Sequence, residues 1–230
     1  MKCPSLVPPV FAAICFSALA VAQDQEQVSL QFVSFPKAVD AQPVELLVGE
    51  GKAIPVELPT NSLSPVYKVG RLSKWVLGKT VAGEDGKDTF KVYGEGQAGA
   101  SAKQLVLVVR SGAEAADGLT LTTFDGGAKG FGGGSYLFFN AAKVDITATV
   151  GDTKFALKPL AHKLVHPKPS KSEGDRKYLF TYLYFRKGEE AVPFYSSTWR
   201  FSEKARSMVF FYHDTHGGQL RTHSIRDYLP

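Results

Sequence analysis

The chain has 230 residues, 44% of them hydrophobic and 21% charged, and its 27 Lys and Arg against 22 Asp and Glu give a formal charge of +5. An ordinary apolar fraction excludes a disordered chain, and 22 glycines without a three-residue period exclude a collagen-like one. Acids are interspersed with the bases, so the mild positive balance does not point to nucleic acid.

Residues 1–22 read as a secretory signal: Lys2 supplies the positive end, residues 10–19 an apolar stretch, and Ala20-Val21-Ala22 a small-residue cleavage site before Gln23. The apolar run is broken by Pro8 and Pro9 and falls short of the roughly 20 residues a spanning helix needs, so no transmembrane segment is expected in the mature chain. Cleavage leaves 208 residues with a charge of +4 and removes both cysteines, Cys3 and Cys15. Cys15 does not make a lipobox, because Ile14 stands where a small residue is needed. The expectation is an exported, thiol-free protein, periplasmic or extracellular, held together by its core alone.

From residue 28 onward, short segments rich in Val, Leu, Phe, Tyr and Thr alternate with Gly, Pro, Asp and Asn clusters, which predicts an all-β chain. The first set of strands is expected at 28–35, 44–48, 53–58, 65–69, 74–81, 89–93, 103–110 and 119–124. A second set is expected at 136–140, 144–150, 154–158, 163–165, 178–186, 191–195, 198–201, 207–213 and 220–225. The unbroken apolar runs at 105–109 and 208–212 suit strands covered on both faces. The two sets resemble copies: residues 44–52 match 146–154 at a shift of 102, each a strand, a Gly-acid turn and a second strand, and the runs at 105–109 and 208–212 match at 103. The reading is therefore two tandem β-sandwich-like domains, 23–124 and 136–230, with one larger sandwich or barrel as the alternative. Between them, six glycines in residues 125–135 read as a linker or a wide turn, since no helix follows to complete a phosphate loop. Residues 166–177, polar and Pro-broken, read as an exposed loop.

The segment Gly134-Ser135-Tyr136-Leu137-Phe138-Phe139-Asn140, with the strands after it, resembles uncharacterised bacterial secreted proteins that carry Gly-Ser-Tyr-x-Phe-x-Asn ahead of an Ig-like β-domain. The resemblance covers mainly residues 130–230. It implies export and an all-β fold, and it carries over no functional residue.

Three groups of residues invite a chemical reading. His213, Asp214 and His216 offer two imidazoles and a carboxylate within four residues, and His223 on the next strand could return toward them, as a zinc site would require. Against this, residues 214–218 carry ordinary turn chemistry, which is the favoured reading. His162, His166 and the bases Lys163, Lys168, Lys171, Arg176 and Lys177 could form a patch for anionic envelope polymers, although a solvated loop is the simpler account. Alternation places Tyr178, Phe180, Tyr182 and Tyr184 on one strand face and Leu179, Thr181, Leu183 and Phe185 on the other. An exposed tyrosine row can stack on sugar rings, making Tyr178, Tyr182, Tyr184 and Trp75 the candidate ligand-binding residues; a wall of the core is the favoured alternative, and Trp199 reads as core because Phe201 shares its face.

No Gly-x-Ser-x-Gly elbow, thiol or His-Glu-x-x-His is present, which disfavours catalysis, and no cofactor is expected. The functional expectation is a non-catalytic exported binding or structural module whose partner is a protein or an envelope polysaccharide. A carbohydrate-binding module is the first alternative, and a metal-dependent enzyme at His213, Asp214 and His216 the second.

Overall fold

The computed structural model describes residues 26–36, 43–83, 86–110, 118–214 and 218–229; residues 1–22, where a secretory signal is expected, and His216 lie outside them. Among the described residues every regular element is a strand. The first half contributes β1 (Gln27–Phe35), β2 (Val44–Gly49), β3 (Lys52–Val56), β4 (Tyr67–Gly70), β5 (Lys74–Ala82), β6 (Asp88–Gln97), β7 (Lys103–Arg110) and β8 (Leu119–Asp125). The second contributes β9 (Tyr136–Asn140), β10 (Ile146–Val150), β11 (Thr153–Leu157), β12 (His162–Val165), β13 (Lys171–Glu173), β14 (Arg176–Lys187), β15 (Glu190–Phe201), β16 (Ala205–His213) and β17 (Leu220–Tyr228). Two expectations are corrected. The segments 191–195 and 198–201 are one strand, β15, and the polar stretch 166–177 contains β13, whose exposed Lys-Ser-Glu has no apolar face to announce it.

The fold is all-β and sandwich-like. Its first half is one curled sheet ordered β3-β2-β5-β6-β8-β7-β1-β4, and its second half is two sheets, one holding β11, β10, β13, β14 and β15 and the other ordered β12-β9-β16-β17. Among the described residues no sheet takes strands from both halves. The halves also pair their strands alike: β1 runs parallel to β7 as β9 does to β16, β4 edges β1 as β12 edges β9, and the hairpin β2–β3 lies on β5 as β10–β11 lies on β14. Even the irregularities correspond. The β5–β6 ladder shifts register at Leu77/Gly78 and the β14–β15 ladder at Leu183/Tyr184, and β2 and β10 face those points through Glu45 and Leu46, and through Thr147 and Ala148. Among the described residues two links differ: β6 pairs with β8 while β15 shows no pairing with β17, and β13 pairs with β14 where β5 has no such extra partner.

Alternation explains how these strands build three cores. In β1 and β7, Val28, Leu30, Phe32, Val106 and Val108 point into a first cluster with Leu46, Trp75 and Leu77, while Val33, Phe35, Leu105, Leu107 and Val109 point the other way. In β9 and β16, Tyr136, Phe138, Val209 and Phe211 face a second cluster with Ile146, Ala148, Leu179 and Leu183, while Leu137, Phe139, Met208 and Phe210 face back. The backward faces meet in a third cluster that joins the halves, in which Phe35 stacks on Phe210 at 4.7 Å. These strands read as unbroken apolar runs because both of their faces are covered.

The glycine-rich residues 125–135 belong to that joint and do not form a free linker. Phe131 is 1% exposed, and the Arg206 guanidinium lies over its ring while donating to the carbonyls of Gly126 and Phe131 and to the Asp227 carboxylate. A Cβ on Gly133 would come within 1.8 Å of the Glu203 carbonyl oxygen, so glycine is required for close approach and not for flexibility. At the start of the turn, the N–H of Gly127 and then the Ser101 hydroxyl donate to Asp125 and hold its carboxyl below the usual carboxylate range. Phe131→Ala is expected to lower stability by about 3–5 kcal/mol in urea titration. A loss under about 0.5 kcal/mol would fit a free linker instead.

One hydroxyl in the second core is out of place. Thr181 is fully buried between Leu179 and Leu183, and its Oγ1 has no hydrogen-bond partner among the described residues. Replacing it by the isosteric valine removes that desolvation cost, so Thr181→Val is expected to stabilise by about 1 kcal/mol and to raise Tm.

Candidate binding face

The faces of β14 are assigned by its neighbours. Leu183 sits opposite Ala148, Thr181 opposite Val150 and Leu179 opposite Trp199, so this face turns into the second core. The favoured expectation of a buried tyrosine wall is thereby reversed. Tyr178, Phe180, Tyr182 and Tyr184 lie on the outer side, with Phe180 39% and Tyr182 43% exposed and Tyr178 and Tyr184 half-buried. Successive members of the row stand roughly 7 Å apart, so four of them span about 20 Å of flat, solvent-facing sheet.

Cross-strand register surrounds the row with hydroxyls and cations. The line through Tyr182 runs from Lys154 on β11 through Thr149 on β10 to Ser196 on β15, and the line through Tyr184 brings Thr147 from β10. Phe180 has Thr198 beside it, and Tyr178 lies between Lys171 on β13 and Arg200 on β15. Arg176 and Arg186 continue the same face at either end of the row. Lys154, Lys171, Arg176, Arg186 and Arg200 are all exposed. Glu173 pairs with Lys171, and the hydrogen bond and charge of that carboxylate raise the lysine above its ordinary range. A surface of this kind can stack on flat apolar rings, donate and accept hydrogen bonds beside them, and attract negative charge.

The other candidate residues are committed elsewhere. Trp75 is corrected outright as a surface aromatic: it is wholly buried in the first core and its indole N–H donates to Gln104 Oε1 at 2.8 Å, leaving it nothing to offer a ligand. Trp199 packs into the second core as expected, near-parallel to Tyr136 and Phe138, with its N–H donating to the Tyr195 hydroxyl. His213 Nδ1 is bonded to the Gly218 carbonyl, Asp214 pairs with Arg221, and His216 lies outside the described residues. His223 does not return toward His213. It lies beside the stacked Phe35 and Phe210 at the joint, near-parallel to both rings, and its Nε2 is bonded to the Thr60 carbonyl. Among the described residues no three His, Cys, Asp or Glu side chains are grouped to hold a metal. His162 stands edge-on to Phe124, and His166 bonds the Ser135 hydroxyl.

Two further features have a structural account. A cleft of about 910 Å³ between the halves is bordered by Lys103, Glu203, Lys204, Arg206 and Asp227, of which Arg206 and Asp227 already satisfy one another. In residues 134–140, Asn140 is fully buried and its side chain ties Ala142, Val144 and Leu157 together, while Ser135 accepts from the N–H of Ser207 through its backbone carbonyl. That segment serves the fold. Sequence reasoning found the tyrosines but missed Lys154, Thr149, Ser196, Thr198 and Arg200 beside them. The alternation Ile-Thr-Ala-Thr-Val in β10 was a cue that its threonines face outward, but which strands lie side by side is not a local property.

No known family model matches the chain, and comparison with curated proteins finds no similar sequence. The site therefore rests on its own geometry. Zinc titration of the protein is expected to find no tightly held ion at residues 213–216, and the paired change His213→Ala and His216→Ala to alter stability by no more than about 0.5 kcal/mol. One equivalent of metal lost in that pair would restore the metal reading.

Proposed function

We propose that the mature chain is an exported, non-catalytic binding module that holds a carbohydrate against the outer face of β14. The observation that carries this reading is a comparison within the molecule. The register shifts align Leu183 with Leu77, so Phe180, Tyr182 and Tyr184 correspond to Lys74, Val76 and Gly78 of β5. The first half builds the same strand arrangement without an aromatic row, so the fold has no need of one. Leaving Phe180 and Tyr182 about two-fifths exposed also forgoes part of the roughly 1.5–3 kcal/mol by which full burial of a large apolar side chain stabilises. Amphipathic rings with hydroxyl-bearing neighbours suit the apolar faces and hydroxyl edges of sugars.

The like pairing of the two halves, with the 102-residue shift in sequence, supports their being tandem copies, of which the second carries the binding face. Export rests on the signal-like residues 1–22, and mass analysis of the exported protein is expected to find Gln23 at its start. The glycan reading is tested on an array of soluble polysaccharides. Binding by the mature chain should weaken about tenfold or more in Phe180→Ala and in Tyr182→Ala, both of which keep a wild-type melting curve. A chain that binds no glycan is instead a protein-interaction or structural module.

A further inference from the structure

Charge on the binding face narrows the class of sugar. Five cations, Lys154, Lys171, Arg176, Arg186 and Arg200, share the outer face with the aromatic row, against two acids: Glu173, opposite Arg176, and Asp145, opposite Arg186, whose backbone N–H donates to the Asp145 carbonyl. Glu173 is taken up by Lys171, whereas Lys154, Arg176, Arg186 and Arg200 form no ion pair among the described residues. The chain as a whole is far closer to balance, with 27 bases against 22 acids, so this excess belongs to the face and not to the composition.

The cations are also distributed along the row. Arg176 and Arg186 lie at its two ends, Lys171 and Arg200 flank Tyr178, and Lys154 stands in line with Tyr182. A ligand that ran along β14 with rings on the aromatics would meet positive charge at intervals over about 33 Å, from Arg176 to Arg186. A single small anion would use one of these positions; a polymer with charge on successive units would use all of them. Arginine favours this role, since its planar fork matches a carboxylate with two parallel hydrogen bonds.

We infer that the polymer held on the outer face of β14 is an acidic polysaccharide, whose sugar rings stack on Phe180, Tyr182 and Tyr184 while its carboxylates meet Arg176, Arg200 and Lys154. The inference rests on the glycan reading above and adds the charge of the ligand. Its test is calorimetric titration of the mature chain with polygalacturonate, with the methyl ester of the same polymer, and with a neutral β-glucan. Polygalacturonate is expected to bind at least about tenfold tighter than its ester at low salt, and the gap to close at roughly 0.5 M salt, where exposed charges are screened within a few ångströms. The double change Arg176→Gln and Arg200→Gln should abolish the preference and leave weak binding of the ester, whereas Tyr182→Ala should weaken binding of acid and ester alike, about tenfold or more; all these side chains are exposed, and unchanged melting curves exclude misfolding. Equal binding of acid and ester overturns the charge assignment and leaves the glycan reading standing. Binding of none of the three polymers overturns both. Capture by phosphatidylglycerol vesicles in place of polygalacturonate, lost in the double arginine variant, replaces the polysaccharide with a membrane surface.

Discussion

Burial on both faces of two parallel strand pairs, β1 with β7 and β9 with β16, is the constraint on which the rest of the molecule depends. Each pair forms the inner leaf of its own half and also presents a second apolar face, and the two second faces can leave water only by covering each other. The joint is therefore as much a core as either sandwich interior, with stacked Phe35 and Phe210 at its centre and Phe131, under Arg206, at its margin. An isolated half would expose five large apolar side chains, Val33, Phe35, Leu105, Leu107 and Val109, a patch of the kind folded monomers seldom present.

With the inner leaves turned toward each other, the outer leaves become the surfaces on which the halves can differ. The sheet containing β14 has its inner face fixed by the second core, where Leu179, Thr181 and Leu183 meet Ile146, Ala148 and Val150. Its outer face is released from that packing, and there aromatics, hydroxyls and cations share a platform held by a stiff sheet. Rigidity of this kind favours binding, because little side-chain or backbone freedom is lost when a ligand arrives. Thr181, the buried hydroxyl beneath the platform, is the one place where that support is not optimised.

Much of the architecture was legible because strands advertise their burial. The runs at 105–109 and 208–212 gave the doubly covered strands, and alternation separated the two faces of residues 178–185. What alternation cannot give is which face turns inward when both are apolar, since Leu179, Leu183 and Phe185 compete on near-equal terms with Tyr178, Phe180 and Tyr182. The decision is made by β10 and β15, through partners some 30 residues upstream and about 15 downstream. Trp75 was equally ambiguous alone, and its place follows from Gln104, 29 residues away, whose amide accepts the indole proton deep in the first core. The glycine-rich segment misled through composition. Phe131 at its middle was the contrary sign, for a large ring is wasted on a chain that only spans a gap.

The parallel pairing inside each half bears on how the chain reaches this structure. In both inner leaves the parallel partners, β1 with β7 and β9 with β16, lie more than 70 residues apart, so the leaf closes only after the hairpins between them have formed, and such long-range closure slows folding. Because the halves arrange their strands alike, β9 emerging from synthesis meets a finished leaf that resembles its own future partner. The halves differ in side-chain size on these strands, since Phe138 and Phe211 face the second core where β7 presents Val106 and Val108 to the first. Neighbouring copies of one topology are prone to exchanging strands, and unlike core volumes are a means of discouraging it.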